Sequence, residues 1–136
     1  MMLTAGVSTA ASLPPCPSSP NCVSTLARDW HAIAPLRYTS TEAEAVRRLL
    51  AVLRAIPRTT IVESGHDSVR VEFRTLIFRF VDDAQFVFDD KTKTIHFRSA
   101  SRLGYSDMGV NRRRMEEVRK AFEAVQMPEQ GAKHPS

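Results

Sequence analysis

The chain has 136 residues, 43% of them hydrophobic and 25% charged, the balance of one ordinary globular domain that can close a core without obligatory metal or disulfide. No stretch approaches the roughly 18 to 20 apolar residues of a membrane-spanning helix, which excludes such a helix from this sequence. The net charge of +4 favours anionic partners without choosing among nucleic acid, lipid headgroup and small anion.

Residues 1–12 are small and uncharged, with neither the basic start nor the long apolar run of a secretory signal, and read as a mobile segment. Pro14, Pro15, Pro17 and Pro20 then break up the chain, and Pro35 closes a mixed stretch. Residues 13–38 are therefore expected to form a Pro-rich irregular arm, with Trp30 and Ile33 packed on the domain. Thr41 and Glu44 have capping-box spacing, and Val46, Leu49, Leu50, Leu53 and Ile56 fall on one helical face before Pro57.

The period then changes from helical to alternating. "TTIVES" is β-branched, and "SVRVEFR" puts Val69, Val71 and Phe73 on one side with Arg70, Glu72 and Arg74 on the other. The apolar phase slips by one residue to Leu76, Phe78 and Phe80, which predicts a bulge or bend near Arg74 and Thr75. "AQFVF" continues with Ala84, Phe86 and Phe88 inward, "DDKTK" makes a turn, and "TIHFRSA" sets Ile95 and Phe97 inward with His96 and Arg98 outward. Met115, Val118, Phe122 and Val125 are spaced for a last amphipathic helix ended by Pro128. The expected fold is α+β: an antiparallel β-meander of four or five strands with two helices packed on one face. One domain is expected over residues 13–126, with a disordered tail over 127–136.

"RSASRLGYSDMGVNRRR", residues 98–114, has few core-forming side chains, so its polar groups should either fasten neighbouring structure or hold something outside the chain. Asn111 suits the N-cap of the last helix, Gly104 and Gly109 suit turns, and Tyr105 suits an anchor on the sheet. Charge is left over. Arg112, Arg113 and Arg114 occupy a first helical turn, where a cation is unfavourable by a few tenths to about 1 kcal/mol. Two readings compensate it. In one, Asp82, Asp83 and Asp107 lock the loop to the sheet through the arginines. In the other, Arg98, Arg102 and Arg112 hold a phosphate or carboxylate, oriented by Ser99, Ser101, Tyr105 and Asn111 beside Asp107.

"CPSSPNCV", "FRFVDDAQF" and "RSASRLGYSDMGVNRRR", in this order, resemble the DUF1499 family of domains of unknown function. The resemblance covers roughly residues 14 to 125 and rests here on Cys16, Pro20, Asn21, Cys22, Asp82, Asp83, Arg98, Ser99, Ser101, Arg102, Gly104, Tyr105, Asp107, Gly109, Asn111 and Arg112. It implies no established activity. It implies a family of bacteria and photosynthetic eukaryotes in which some members look exported to periplasm or thylakoid lumen. A periplasmic or lumenal place is thus expected if a signal precedes this start, and a cytoplasmic one otherwise.

Cys16 and Cys22 enclose five residues, two of them prolines. A small disulfide loop that pins the arm suits this spacing in an oxidising compartment; free thiols are the alternative in a reducing one. Zinc is a weak reading, because only His31 lies nearby. Asp82 and Asp83 suit a turn, an arginine pairing or, with Asp107, a hard divalent cation. A hydrolase built from Ser99 or Ser101, His96 and Asp107 lacks a nucleophile elbow and places His96 and Ser99 on opposite strand faces. Nucleic-acid binding lacks a recognised motif and an aromatic platform. The expectation is a non-enzymatic binding or accessory module, with no cofactor, for a small anionic ligand or an acidic protein surface. The alternatives are a hydrolytic or metal-assisted enzyme using Asp82, Asp83 and Asp107, and a purely structural interaction domain, which would combine a tight internal network with a large exposed apolar patch.

Overall fold

A computed structural model describes residues 13–103 and 109–125. The expectations for residues 1–12 and 127–136, and for Gly104, Tyr105 and Asp107, concern positions outside those described. The elements in chain order are β1 (Cys22–Ser24), β2 (Leu36–Arg37), α1 (Glu42–Arg54), β3 (Thr59–Ser64), β4 (Ser68–Arg74), β5 (Val81–Asp89), β6 (Thr94–Ser101) and α2 (Val110–Val125). This is the expected α+β arrangement, with six strands in place of four or five. The arm supplies the additional two.

The sheet runs β1-β6-β5-β4-β3, with β2 also paired to β6, and every strand pairing is antiparallel. Strand alternation sends Val69, Val71 and Phe73 of β4, Ala84, Phe86 and Phe88 of β5, and Ile95 and Phe97 of β6 to one face. There they form a single core with Val46, Leu49 and Leu53 of α1 and Met115, Val118 and Phe122 of α2. Each such buried side chain contributes about 1.5–3 kcal/mol, so the helices are held on this face by burial and not by propensity. Thr41 caps α1 as expected, its hydroxyl accepting from the Glu44 N–H at 3.1 Å. Val125, expected on the apolar stripe of α2, is partly exposed at the helix end.

Two local expectations differ. Of the bulge or bend expected after Phe73 the chain makes the bend, a turn that leaves Leu76, Ile77, Phe78 and Phe80 exposed and off the strand: Thr75 N–H donates to the Phe80 carbonyl at 2.9 Å. A bulge does occur, but in β3 between Ile61 and Glu63, where it bends the sheet's free edge. In the arm, Ile33 is buried as expected, whereas Trp30 is 59% exposed and stacks on His31 at 3.8 Å between ring centroids.

The arm wraps both the edge and the open face of the sheet. β1 and β2 extend β6, and Leu13 reaches the open face to cover Val87. Cys16 and Cys22 are joined by a disulfide with a Cα–Cα distance of 5.8 Å, closing the loop between those two attachments. His31, 3% exposed, ties the same segment down: Nδ1 lies 2.9 Å from the Asp29 carboxylate and Nε2 donates to the Ser19 carbonyl at 2.8 Å.

Candidate functional site

Ser99 and Ser101 sit two apart on β6 and therefore share its inner face, directly beneath the first turn of α2. Ser99 Oγ donates to Asn111 Oδ1 at 2.5 Å; Asn111 Nδ2 donates to Ser101 Oγ at 3.0 Å and to the Asn21 carbonyl at 3.3 Å. Asn21 in turn donates through Nδ2 to the Leu103 carbonyl and accepts from Ser19 Oγ at 2.7 Å. Asn111 was expected to cap α2; it lies inside the helix, and its amide joins sheet, helix and arm instead. Gly109, at φ +80, makes the turn before the helix, a conformation that glycine adopts without strain. With Ser99 and Asn111 both fully buried, these three polar side chains fasten the fold.

The arginines at the start of α2 divide between two tasks. Arg112 donates to the Ala32 and Trp30 carbonyls, each at 3.0 Å. Arg119, two turns further along, does the same to Pro35 at 2.9 Å and to Ala34. Spacing of seven puts both guanidinium groups on one helix face, where they satisfy arm carbonyls that no strand reaches. Arg114 turns under the helix to Asp82, Nη1 to Oδ2 at 2.6 Å, with its guanidinium 4.7 Å above the Phe73 ring. Both partners are buried, and this carboxylate supplies the negative charge that a basic first turn requires.

Asp82 and Asp83 are not brought together. Asp82 follows the inward register of Ala84 and Phe86, whereas Asp83 points to the open face. There Arg102 takes Asp83 with Nε at 2.8 Å and Nη2 at 3.0 Å, and reaches Glu72 with Nη2 at 2.7 Å. The hydrogen bonds that Arg102 donates to Asp83, and then to Glu72, hold its proton more firmly than in an ordinary arginine. Among the described residues no group of three acidic, histidine or cysteine side chains has metal-binding geometry.

Also on the open face, Arg70, Gln85 and Arg98 are register partners on β4, β5 and β6 and stand in one row across the sheet. Arg70 is paired with Glu63 at 2.9 Å. Arg98 is different. It is half-buried beneath the arm, its Nη2 donates to the Pro15 carbonyl at a long 3.4 Å, and its Nε is buried with no hydrogen-bond partner. Burial pushes its pKa below the ordinary arginine value, and the nearby charge of Asp83 only partly offsets this. A shallow cleft of about 140 Å³ lies over this row, bounded by Val62, Glu72, Asp83 and Arg102.

The candidate ligand residues thus occupy three places. Ser99, Ser101 and Asn111 form the buried polar knot, Arg112 grips the arm, and Arg98 with Arg102 lies on the opposite face of the sheet. Gln85 and Arg119 were not singled out from the sequence, and Arg114 only as one of three cations in a first helical turn. The alternation of β5 could have placed both Gln85 and Asp82, but the backbone carbonyls that Arg119 holds leave no side-chain signature.

Residues 12–122 match the model of a family described as protein of unknown function (DUF1499). No curated protein and no solved structure matches the chain. With the match spanning most of its length, and the Cys16–Cys22 loop, Asp82, Asp83 and the Arg98–Arg112 stretch lying within it, the chain belongs to the DUF1499 family.

Proposed function

We propose that the domain is a non-enzymatic binding module whose ligand is a small anion, a phosphate or carboxylate, held on the open face of the sheet by Arg98 with Gln85 and Arg70 beside it. One observation carries the reading: Arg98 is a partly desolvated cation with a buried, unpartnered Nε, and no carboxylate lies within ion-pair distance of it among the described residues. An unmet charged donor of this kind costs about 1–3 kcal/mol or more, which an anionic ligand would recover. Arg102 closes one side of the cleft, already neutralised by Asp83 and Glu72. Arg112 leaves the earlier ligand set, because its donors are taken by the arm.

The test is thermal unfolding in inorganic phosphate, sulfate and citrate against sodium chloride at matched ionic strength. At ten times Kd a bound anion adds about 1.4 kcal/mol, roughly 5 °C for a domain of this size. Arg98→Gln should abolish the increment. Equal shifts in all salts, or an increment that survives Arg98→Gln, contradict the proposal. A second reading, a purely structural interaction domain, is favoured by the internal arginine network together with the exposed apolar β4–β5 turn.

A further inference from the structure

The end of the sheet where β4 turns into β5 carries an arrangement that folding does not explain. Hairpin turns ordinarily hold polar or glycine residues, yet here Leu76, Ile77 and Phe78 are 64%, 78% and 72% exposed. Phe80 stacks on Phe78 at 5.4 Å between centroids, so the four make one contiguous apolar tip. The turn itself is well made: Thr75 N–H donates to the Phe80 carbonyl at 2.9 Å, Phe80 N–H to Thr75 Oγ1 at 2.8 Å, and Arg79 takes φ 60. Leu76, Ile77 and Phe78 keep most of their surface in water, and an exposed apolar cluster on a turn marks a contact surface.

Around this tip stand Arg58, Arg74 and Arg79, all exposed. None has a carboxylate within ion-pair distance among the described residues. Arg58 and Arg74 are held side by side, Arg74 N–H to the Arg58 carbonyl at 3.0 Å and Arg58 Nε to the Arg74 carbonyl at 3.2 Å. Of the acidic groups of this end, Glu72 and Asp83 are engaged by Arg102 and Asp82 by Arg114, while Glu117 lines a cleft with Arg58, Arg74 and Leu76. At the other end of the same strands Asp67, Asp89, Asp90 and Glu42 stand among Lys91 and Lys93, with Asp90 paired to Lys93 at 2.9 Å. The tip is therefore basic and apolar, whereas the far end carries charges of both signs.

We infer that the tip docks on an anionic lipid surface, with Leu76, Ile77 and Phe78 inserted at the headgroup–acyl boundary and Arg58, Arg74 and Arg79 on the headgroup phosphates. The shape favours lipid: a convex tip needs a yielding surface, and unpaired arginines around it need a dense negative one. The end that carries charges of both signs then faces away from the membrane, and the arginines of the tip orient the approach. This surface is separate from the Arg98 cleft and does not depend on it.

The experiment is flotation of the full chain with vesicles of phosphatidylcholine, alone and mixed with phosphatidylglycerol, at low and high salt. Binding is expected to the mixed vesicles only and to weaken with salt. The paired substitution Ile77→Ser with Phe78→Ser should lower it by roughly tenfold or more, since two inserted apolar side chains are lost. Arg74→Gln with Arg79→Gln should lower it and flatten its salt dependence. All four positions are exposed, so circular dichroism is expected to stay unchanged. Absence of binding to the mixed vesicles at low salt, or binding undiminished by the Ile77 and Phe78 substitutions, overturns the inference. So does sedimentation showing a lipid-free dimer that those substitutions dissociate, which would assign the tip to a second copy of the chain.

Discussion

Asp82 is the residue on which sequence reasoning and structure meet most closely. The alternation that places Ala84, Phe86 and Phe88 inward also places Asp82 inward, so its separation from Asp83 was legible; what the sequence did not contain was the register that sets Arg114 above it. A buried pair with one partner removed leaves an uncompensated charge, so Asp82→Ala is expected to lower unfolding stability by about 3–5 kcal/mol. Replacing both members with apolar residues, Asp82→Leu with Arg114→Met, should recover most of that loss. Urea denaturation of the two variants beside the parent chain checks this, and a single substitution costing less than about 1 kcal/mol would remove the pair from its structural role. His96 gives a pH prediction at the same scale. Its Nδ1 lies 3.0 Å from Thr25 Oγ1, which also accepts from the Phe97 N–H at 3.0 Å, and burial lowers its pKa below 6.5. The folded state resists the proton that the unfolded state takes up. The stability His96 contributes is therefore complete above the unfolded value of 6.5 and is lost as pH falls from there through the lowered folded value. Denaturation between neutral and mildly acidic pH should show this decline, and His96→Gln should reduce it.

Among the elements, α1 and strands β3 to β6 were readable because each carries its own periodicity: a capped 3.6-residue stripe, or apolar and polar residues in alternation. β1 and β2 were not. They are three and two residues long, "CVS" and "LR", and exist only because β6 offers them an edge. The β4–β5 turn misled for the opposite reason, since its run of apolar residues imitates a strand. The arm is held by the disulfide, by His31 and by the Arg112 and Arg119 pair, and each should be separable by experiment. Reduction of Cys16–Cys22 is expected to cost roughly 2 kcal/mol, the chain-entropy value for so short a loop. Arg112→Ala with Arg119→Ala should accelerate hydrogen exchange at the arm amides of Ala32 and Ile33 while leaving β4 and β5 protected. Uniform acceleration throughout the sheet would show that the arm does not open independently of it.

For the whole molecule, the arginine-rich stretch turns out to serve both faces of the sheet. On the helix side Asn111, Arg112 and Arg114 bind arm, helix and strand into one body. Across the sheet Arg102 neutralises Asp83 and Glu72, and Arg98 is left without a counter-charge. This one half-buried cation without an ion pair is what the proposed anion site rests on. The most direct measurement is a phosphate titration of the labelled protein, followed through the arginine Nε–H resonances by NMR. Saturable movement of the Arg98 resonance, with those of Arg112 and Arg114 nearly still, is the predicted result. An Arg98 resonance unmoved by phosphate, sulfate or citrate would contradict the account and leave the stretch as a structural lock alone.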